Sequence, residues 1–189
     1  MVQVFQDLYP RQRMLEQTKI TTFETSVFQS AIALGSNLGN SITTLTNAIE
    51  TLARTPGITL SNYSSWYRTK PVGPPQPDYL NGCALLKVAL SPHQLLTTLL
   101  EIEQQFGRVR KEHWGARTLD LDMILYENLI LDTPDLQIPH PRMRERAFVL
   151  VPLAEIAPHW IEPVSGKTII KLLKEVDCSG VNKAELMQT

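Results

Sequence analysis

A strictly alternating run of apolar and acidic residues constrains the fold more than any other feature of this chain. Leu119, Leu121 and Met123 are apolar, and Asp120 and Asp122 lie between them. A period of two predicts a half-buried β-strand, on which residues i and i+2 point to the same side of the sheet. Asp120 and Asp122 should therefore stand side by side. Two neighbouring carboxylates repel each other unless a cation lies between them or one of them is protonated.

A cationic segment precedes this strand and contains Arg108, Arg110, Lys111, His113 and Arg117. Carboxylate oxygens are ligands that suit Mg²⁺, and arginine binds phosphate oxygens through charge-assisted hydrogen bonds. The acidic pair beside the cationic segment therefore predicts a site for a metal-bound polyphosphate. The alternative is that the acidic pair is only the solvated face of a strand and the cationic segment only a solvated loop, because short acidic motifs are common.

The composition is that of a globular protein and excludes several classes. The chain has 189 residues, of which 43% are hydrophobic and 20% charged, and its net charge is −1. Such a charge gives no overall field that would attract nucleic acid or an anionic membrane. Cys83 and Cys178 have no metal-ligand spacing around them, which predicts a reducing compartment. Because no apolar run approaches the ~20 residues of a membrane span and the N-terminus lacks a signal core, we expect a cytoplasmic protein.

The order of the predicted elements indicates the fold class. Strands are predicted at 30–34, 58–68, 82–88 and 119–125, and helices at 42–52 and 92–106, with smaller elements at 149–156, 162–167 and 169–176. Strand, helix, strand, strand, helix, strand is the order of a ferredoxin-like α+β sandwich, with an antiparallel sheet, helices on its faces and here a small C-terminal hairpin and helix. We expect an N-terminal extension at 1–28, one domain at 29–178 and a frayed tail at 179–189. We expect that no second enzyme domain is fused to the chain, given its length.

Two further features leave alternatives open. Glu103 lies on the buried side of its helix and needs a hydrogen-bond donor. That donor is either an ion-pair partner, Arg108 or Arg110, or a bound ligand. The proline-rich segment 69–78 is either a binding loop or a rigid connector.

Several separate motifs resemble one enzyme family, the 6-hydroxymethyl-7,8-dihydropterin pyrophosphokinases. They are HWGARTLDLDMI at 113–124, ALGSN at 33–37, YRT at 67–69, PDYLN at 77–81, GRVR at 107–110 and PH at 139–140. The resemblance covers about residues 30–175, and the order of the motifs makes it specific. The chain departs from the family pattern at His113, where members often have arginine, and at Lys70, where proline is common.

The resemblance implies an activity and a set of site residues. Members transfer the β,γ-pyrophosphoryl group of ATP to the hydroxymethyl oxygen of the pterin and release AMP, in folate biosynthesis. The resemblance implies that Arg108, Arg117, Asp120 and Asp122 act in catalysis and that the two aspartates bind two Mg²⁺ ions. The residues that it implies for ATP binding are Glu103, Arg110, His113, Trp114, Met123, His140 and Arg146. Those that it implies for the pterin are Thr69, Val72, Tyr79, Asn81 and Phe148. We expect a monomer that binds these small molecules, and neither nucleic acid nor a membrane.

Two other functions are compatible with parts of the pattern. An RNA-binding ferredoxin-like domain could stack bases on its Tyr and Trp side chains, but the acidic pair would repel phosphate. A catalytically inactive homologue could serve as an interaction module, although an intact acidic pair argues against that function.

Overall fold

The computed structural model describes residues 26–71, 75–108 and 116–185. Four residues with an expected site role, Val72, Arg110, His113 and Trp114, lie outside the described residues, as does most of the expected N-terminal extension. None of the helices in these ranges combines the length and the apolar character needed to cross a membrane.

The elements follow one another in a βαβββαβ order with additions at the C-terminal end. They are β1 (Phe28–Ser36), α1 (Ser41–Arg54), β2 (Ile58–Tyr63), β3 (Tyr67–Thr69), β4 (Tyr79–Val88), α2 (Pro92–Gln105), β5 (Asp120–Tyr126), β6 (Leu131–Asp132), β7 (Gln137–Ile138), a 3-10 turn (Met143–Glu145), α3 (Ala147–Ile156), β8 (Ile161–Glu162), β9 (Lys167–Thr168), α4 (Ile169–Leu173) and β10 (Val181–Lys183).

Among the described residues, six strands form one sheet in the order β10-β3-β4-β1-β5, with β2 also paired to β4. Every pairing in this sheet is antiparallel. Strand β1 lies between β4 and β5, and its residue Gly35 pairs with Asn81 on one side and Asp120 on the other. The fold confirms the predicted ferredoxin-like α+β sandwich.

Alternate residues of the central strands supply two separate hydrophobic cores. Ile32 and Leu34 of β1 face a core that they share with buried side chains of α1 and α2. Ala31 of β1 and Leu125 of β5 face the opposite core, which contains buried side chains of α3 and α4. Burying both faces of the sheet fixes the register of β1 and β5, because a slip by one residue would exchange the two cores.

The helix starts follow the sequence signals. Ser91 caps α2 in a capping box with Gln94, and Pro92 occupies the first turn, as its sequence predicts. Asn40 caps α1, and its side chain accepts a hydrogen bond of 3.2 Å from the amide of Thr43. Both helices cover the same face of the sheet, because their buried side chains belong to the core that contains Ile32 and Leu34.

Three predictions about local structure are wrong. The predicted strand 58–68 is two strands, β2 and β3, because the ladder with β4 is interrupted between Tyr63 and Tyr67. In this interval Trp66 packs on Gly82, where a Cβ atom would lie 2.5 Å from Trp66 Cζ3. The expected frayed tail contains β10, which pairs with β3. Helix α4 ends at Leu173, not Val176. The division into an extension, a domain and a tail otherwise stays a prediction.

Candidate active site

Asp120 and Asp122 line the same cleft, at the end of the sheet where β1, β4 and β5 meet. The cleft has a volume of about 240 Å³, and its wall includes Tyr79, Asn81 and Phe148. The two carboxylates share one side of β5, as the alternation of the sequence predicts. Gly35 of the neighbouring β1 makes room for Asn81, because a Cβ atom there would approach Asn81 Oδ1 to 3.1 Å, whereas Asp120 Cβ would lie at an ordinary contact distance of 3.8 Å.

Two guanidinium groups hold the carboxylate of Asp120. Arg108 Nη1 lies 2.7 Å from Asp120 Oδ1, and Arg117 Nη1 donates a hydrogen bond of 2.5 Å to Asp120 Oδ2. Burial lowers the pKa of Arg117, but the contact with Asp120 more than offsets this, and the net shift is upward. The two arginines of the cationic segment that the structure describes are thus bound to the first acidic residue.

Asp122 has a different set of partners. Arg146 Nη1 lies 3.4 Å and His140 Nε2 3.7 Å from Asp122 Oδ2. Burial and the neighbouring carboxylate of Asp120 raise the pKa of Asp122, against the opposing effect of His140 and Arg146. Burial lowers the pKa of His140, although Asp122 opposes that shift, so the neutral imidazole is favoured.

Glu103 connects the first acidic residue to the helix layer. Its side chain is 2% exposed, accepts a hydrogen bond of 2.7 Å from the amide of Leu121 and forms an ion pair with Arg108. Of the donors left open by the sequence, Arg108 therefore occupies this position. Burial raises the pKa of Glu103, and the hydrogen bond from Leu121 and the charge of Arg108 counteract the rise.

A second, larger groove lies on the other side of Asp122. Its volume is about 700 Å³, and its wall contains Glu103, Arg108, Met123 and His140. Asp122 lines both this groove and the first cleft. Among the described residues, those expected to bind ATP and those expected to bind the pterin are thus largely in two different cavities that meet at one carboxylate. Arg146 is an exception on the ATP side, and Arg117, expected to act in catalysis, also faces the first cleft.

The pterin-side residues are arranged around one short hydrogen bond. Asn81 Nδ2 donates to Thr69 Oγ1 over 2.7 Å, and both side chains are buried. Phe148 also lines the first cleft, and the guanidinium carbon of Arg146 is 5.5 Å from the centre of its ring. A flat heterocycle between Tyr79 and Phe148 would have an aromatic face on each side.

The structure adds cleft residues that the sequence did not single out as site residues. Lys70, Gln76, Arg142 and Glu145 line the first cleft. Asn37 is buried beside it and contacts both Arg117 and Gln76. The signals for Asn37 were its place at the end of the ALGSN motif and in a Gly-Ser-Asn turn after a buried strand, and neither assigned it a role.

The acidic pair is suited to a metal ion that keeps other ligands. Within the described ranges, no group of three or more His, Cys, Asp or Glu side chains could hold a metal. Asp120 Oδ1 is buried without a well-aligned hydrogen bond, although Arg108 Nη1 is near it. Mg²⁺ is often held by one or two carboxylates together with water and substrate phosphates. Asp120 and Asp122 fit that pattern.

Comparisons with known proteins agree on one family. The model of 7,8-dihydro-6-hydroxymethylpterin-pyrophosphokinase (HPPK) matches residues 31–158. A 2-amino-4-hydroxy-6-hydroxymethyldihydropteridine pyrophosphokinase of Synechocystis sp. is 55% identical over 161 residues, which cover 85% of this chain and 83% of that protein. A protein of the same name from Methylorubrum extorquens is 43% identical over 155 residues, covering 82% of this chain and 97% of that protein.

A solved structure supports the fold independently. A mutant HPPK-DHPS of Plasmodium falciparum superposes with a TM-score of 0.66 at 13% identity, over 79% of this chain and 43% of that chain. This chain therefore spans less than half of the Plasmodium chain. The family model and the relatives confirm the resemblance seen in the sequence motifs, and the chain belongs to the 7,8-dihydro-6-hydroxymethylpterin-pyrophosphokinase family, a family of diphosphotransferase enzymes.

Proposed function

We propose that the chain transfers the pyrophosphoryl group of ATP to the hydroxymethyl oxygen of 6-hydroxymethyl-7,8-dihydropterin, releases AMP, and requires two Mg²⁺ ions, as a step of folate biosynthesis. The observation that carries this proposal is the position of Asp122, which lines both the first cleft and the larger groove. A transfer between two bound molecules needs adjoining sites with the reacting groups in line. The two cavities offer such an arrangement.

The first cleft is suited to the pterin. Tyr79 and Phe148 offer aromatic faces for its ring system. Asn81 carries an amide that can both donate and accept, which matches the polar edge of a pterin. Its donor is already directed by Thr69, so the orientation of the amide is set before a substrate arrives.

The larger groove is suited to the nucleotide. Met123 and Leu96 give it apolar wall, and Arg108 and His140 give it polar groups near Asp122. Asp120 and Asp122 would hold Mg²⁺, which when bound neutralises phosphate charge and braces the attacking and leaving oxygens. Arg108 and Arg117, which contact Asp120 in the described structure, would then be available to phosphate oxygens.

The decisive experiment is product analysis with Mg²⁺, ATP and the pterin alcohol. We expect AMP and the pterin diphosphate, whereas ADP as the product would contradict the proposed transfer. Asp120→Ala and Asp122→Ala should each lower turnover by at least about a hundredfold. Asp177→Ala is the matched control, because Asp177 is exposed, accepts hydrogen bonds from Ser179 and lines neither of the two cavities. Full activity in both cleft variants would contradict the metal assignment.

We also propose that the chain acts in the cytoplasm as a monomer and binds neither nucleic acid nor a membrane. Its near-neutral charge and its two cysteines without metal-ligand spacing support this proposal. Light scattering of the purified protein would measure its mass directly, and a dimer at micromolar concentration would contradict the monomer.

A further inference from the structure

We propose that Asn37 is a positioning residue that joins the backbone of Arg117 to the proline loop, here defined as residues 75–78, and so couples the two cavities. Asn37 follows β1 and is 4% exposed. The inference rests on the proposed function, because Arg117 and the proline loop matter for transfer only if the two cavities bind the two substrates.

On one side, Asn37 extends the pairing of β1 with β5 beyond the strands. Its backbone amide donates a hydrogen bond of 3.0 Å to the carbonyl of Arg117. Its side-chain Oδ1 accepts a hydrogen bond of 2.7 Å from the amide of Arg117. Both backbone groups of Arg117 are therefore bound by one residue, which fixes the point from which the guanidinium reaches Asp120.

On the other side, the same side chain holds the proline loop. Asn37 Nδ2 donates to Gln76 Oε1 over 3.0 Å and to the carbonyl of Pro77 over 3.1 Å. Gln76 Oε1 in turn accepts a long hydrogen bond of 3.5 Å from the hydroxyl of Tyr79. One amide thus connects Arg117 with the wall of the pterin cleft.

The chemistry of the partners requires asparagine at this position. The amide of Arg117 can only donate and the carbonyl of Pro77 can only accept. The side chain between them must therefore present an acceptor to one and a donor to the other. Aspartate has the same shape, but it would keep the contact with Arg117 and place an oxygen against the carbonyl of Pro77. Alanine would lose both contacts.

Asn37 contacts neither substrate site directly through its amide, so its effect should fall on turnover. A displacement of about 1 Å in a catalytic group can cost about a hundredfold in rate. We expect Asn37→Ala to lower kcat about tenfold to a hundredfold, with a smaller change in the KM for ATP. We expect Asn37→Asp to lose less, because it keeps the acceptor for Arg117.

The control is Asn40→Ala, in the same turn. Asn40 caps α1 through Thr43, and in the part of the chain that the structure describes its side chain has no hydrogen bond to Arg117 or the proline loop. Loss of the cap destabilises the protein by an amount typical of a helix cap, so this variant measures the effect of destabilisation alone. Its kcat should stay close to that of the wild type.

A second readout needs neither substrate nor turnover. Amide hydrogen exchange of Arg117, followed by NMR, should be faster in Asn37→Ala than in the wild type and unchanged in Asn37→Asp and Asn40→Ala. The proposal is overturned if Arg117 exchanges at the wild-type rate in Asn37→Ala, or if Asn37→Ala and Asn40→Ala lower kcat equally. If Asn37→Ala fails to fold, Asn37→Asp carries the test, since it must still lose turnover. A wild type that releases no AMP would refute the proposed function, while the exchange result would still decide the role of Asn37.

Discussion

The contact between Arg117 and Asp120 leads to a prediction that one substitution strengthens metal binding and weakens catalysis. In the described structure Arg117 occupies the carboxylate that we propose as a metal ligand, with Nη1 2.5 Å from Asp120 Oδ2. A cation can bind that oxygen only after the guanidinium moves away. Replacing Arg117 by methionine, which keeps much of the apolar length of the side chain, should therefore strengthen metal binding in the absence of nucleotide and weaken catalysis.

The size of the effect follows from the exposure of the pair. The side chains of Arg117 and Asp120 are 33% and 21% exposed, so solvent screens the contact and the ion pair contributes about 1 kcal/mol. In Arg117→Met, a metal ion no longer has to break this ion pair in order to bind. Removing a unit positive charge from beside a divalent cation acts in the same direction. Since about 1.4 kcal/mol is a factor of ten, we expect Arg117→Met to bind Mg²⁺ or Mn²⁺ about tenfold more tightly. Turnover should fall about a hundredfold, because the guanidinium no longer reaches phosphate.

Isothermal titration of the metal ion into the nucleotide-free protein measures the first effect, and release of AMP measures the second. Arg54→Met removes the same charge from the exposed end of α1, where Arg54 pairs with Glu50 over 3.4 Å, and should change neither. Metal affinity in Arg117→Met equal to or below that of the wild type would refute the competition between the guanidinium and the cation.

Three further predictions concern other parts of the molecule. Phe148→Leu should raise the KM for the pterin about threefold to tenfold and leave the KM for ATP nearly unchanged, because an aromatic contact contributes about 0.5–1.5 kcal/mol. Steady-state kinetics measures both values, and an equal rise in the two would contradict a specific contact between the ring and the pterin. Gly82→Ala should lower the free energy of unfolding, measured by urea denaturation, by about 1–3 kcal/mol, because its Cβ would meet Trp66. An unchanged midpoint of urea unfolding would mean that the indole moves aside easily. Burial and the hydrogen bond to Glu155 raise the pKa of Tyr67 to about 12. The stability that this phenol contributes is therefore complete below pH 10 and is lost as the pH rises through 12. The difference between the tyrosinate titrations of the wild type and Tyr67→Phe should show one group with a pKa near 12, and Glu155→Gln should shift that pKa toward 10.

The parts of the fold that are set by neighbouring residues were predicted from the sequence. The alternation around Asp120 predicted β5 and the common side of its two carboxylates, and the helix predicted at 92–106 is α2, which begins at Pro92. Each of these signals acts over a few residues. The same is true of the buried position of Glu103, which helical spacing from Leu99 places on the core side.

The parts that depend on distant contacts were not predicted. The break between β2 and β3 depends on Trp66 packing on Gly82, which belongs to another strand. Strand β10 has three residues and exists because the edge of β3 is available for pairing. The partners of Asn37 are 39 residues away at Gln76 and 80 residues away at Arg117, so no local pattern could identify its role.

The central position of β1 has a consequence for the order in which the molecule forms. The strand emerges early from the ribosome, but its two neighbours, β4 and β5, follow much later in the chain. Bringing such distant segments together costs loop-closure entropy before any contact compensates for it, which slows folding. The acidic pair belongs to β5, the last of the three to be synthesised. A nascent chain that ends before Tyr126 therefore has an incomplete sheet centre, and the two carboxylates that we propose as metal ligands join the rest of the cleft only when the sheet closes.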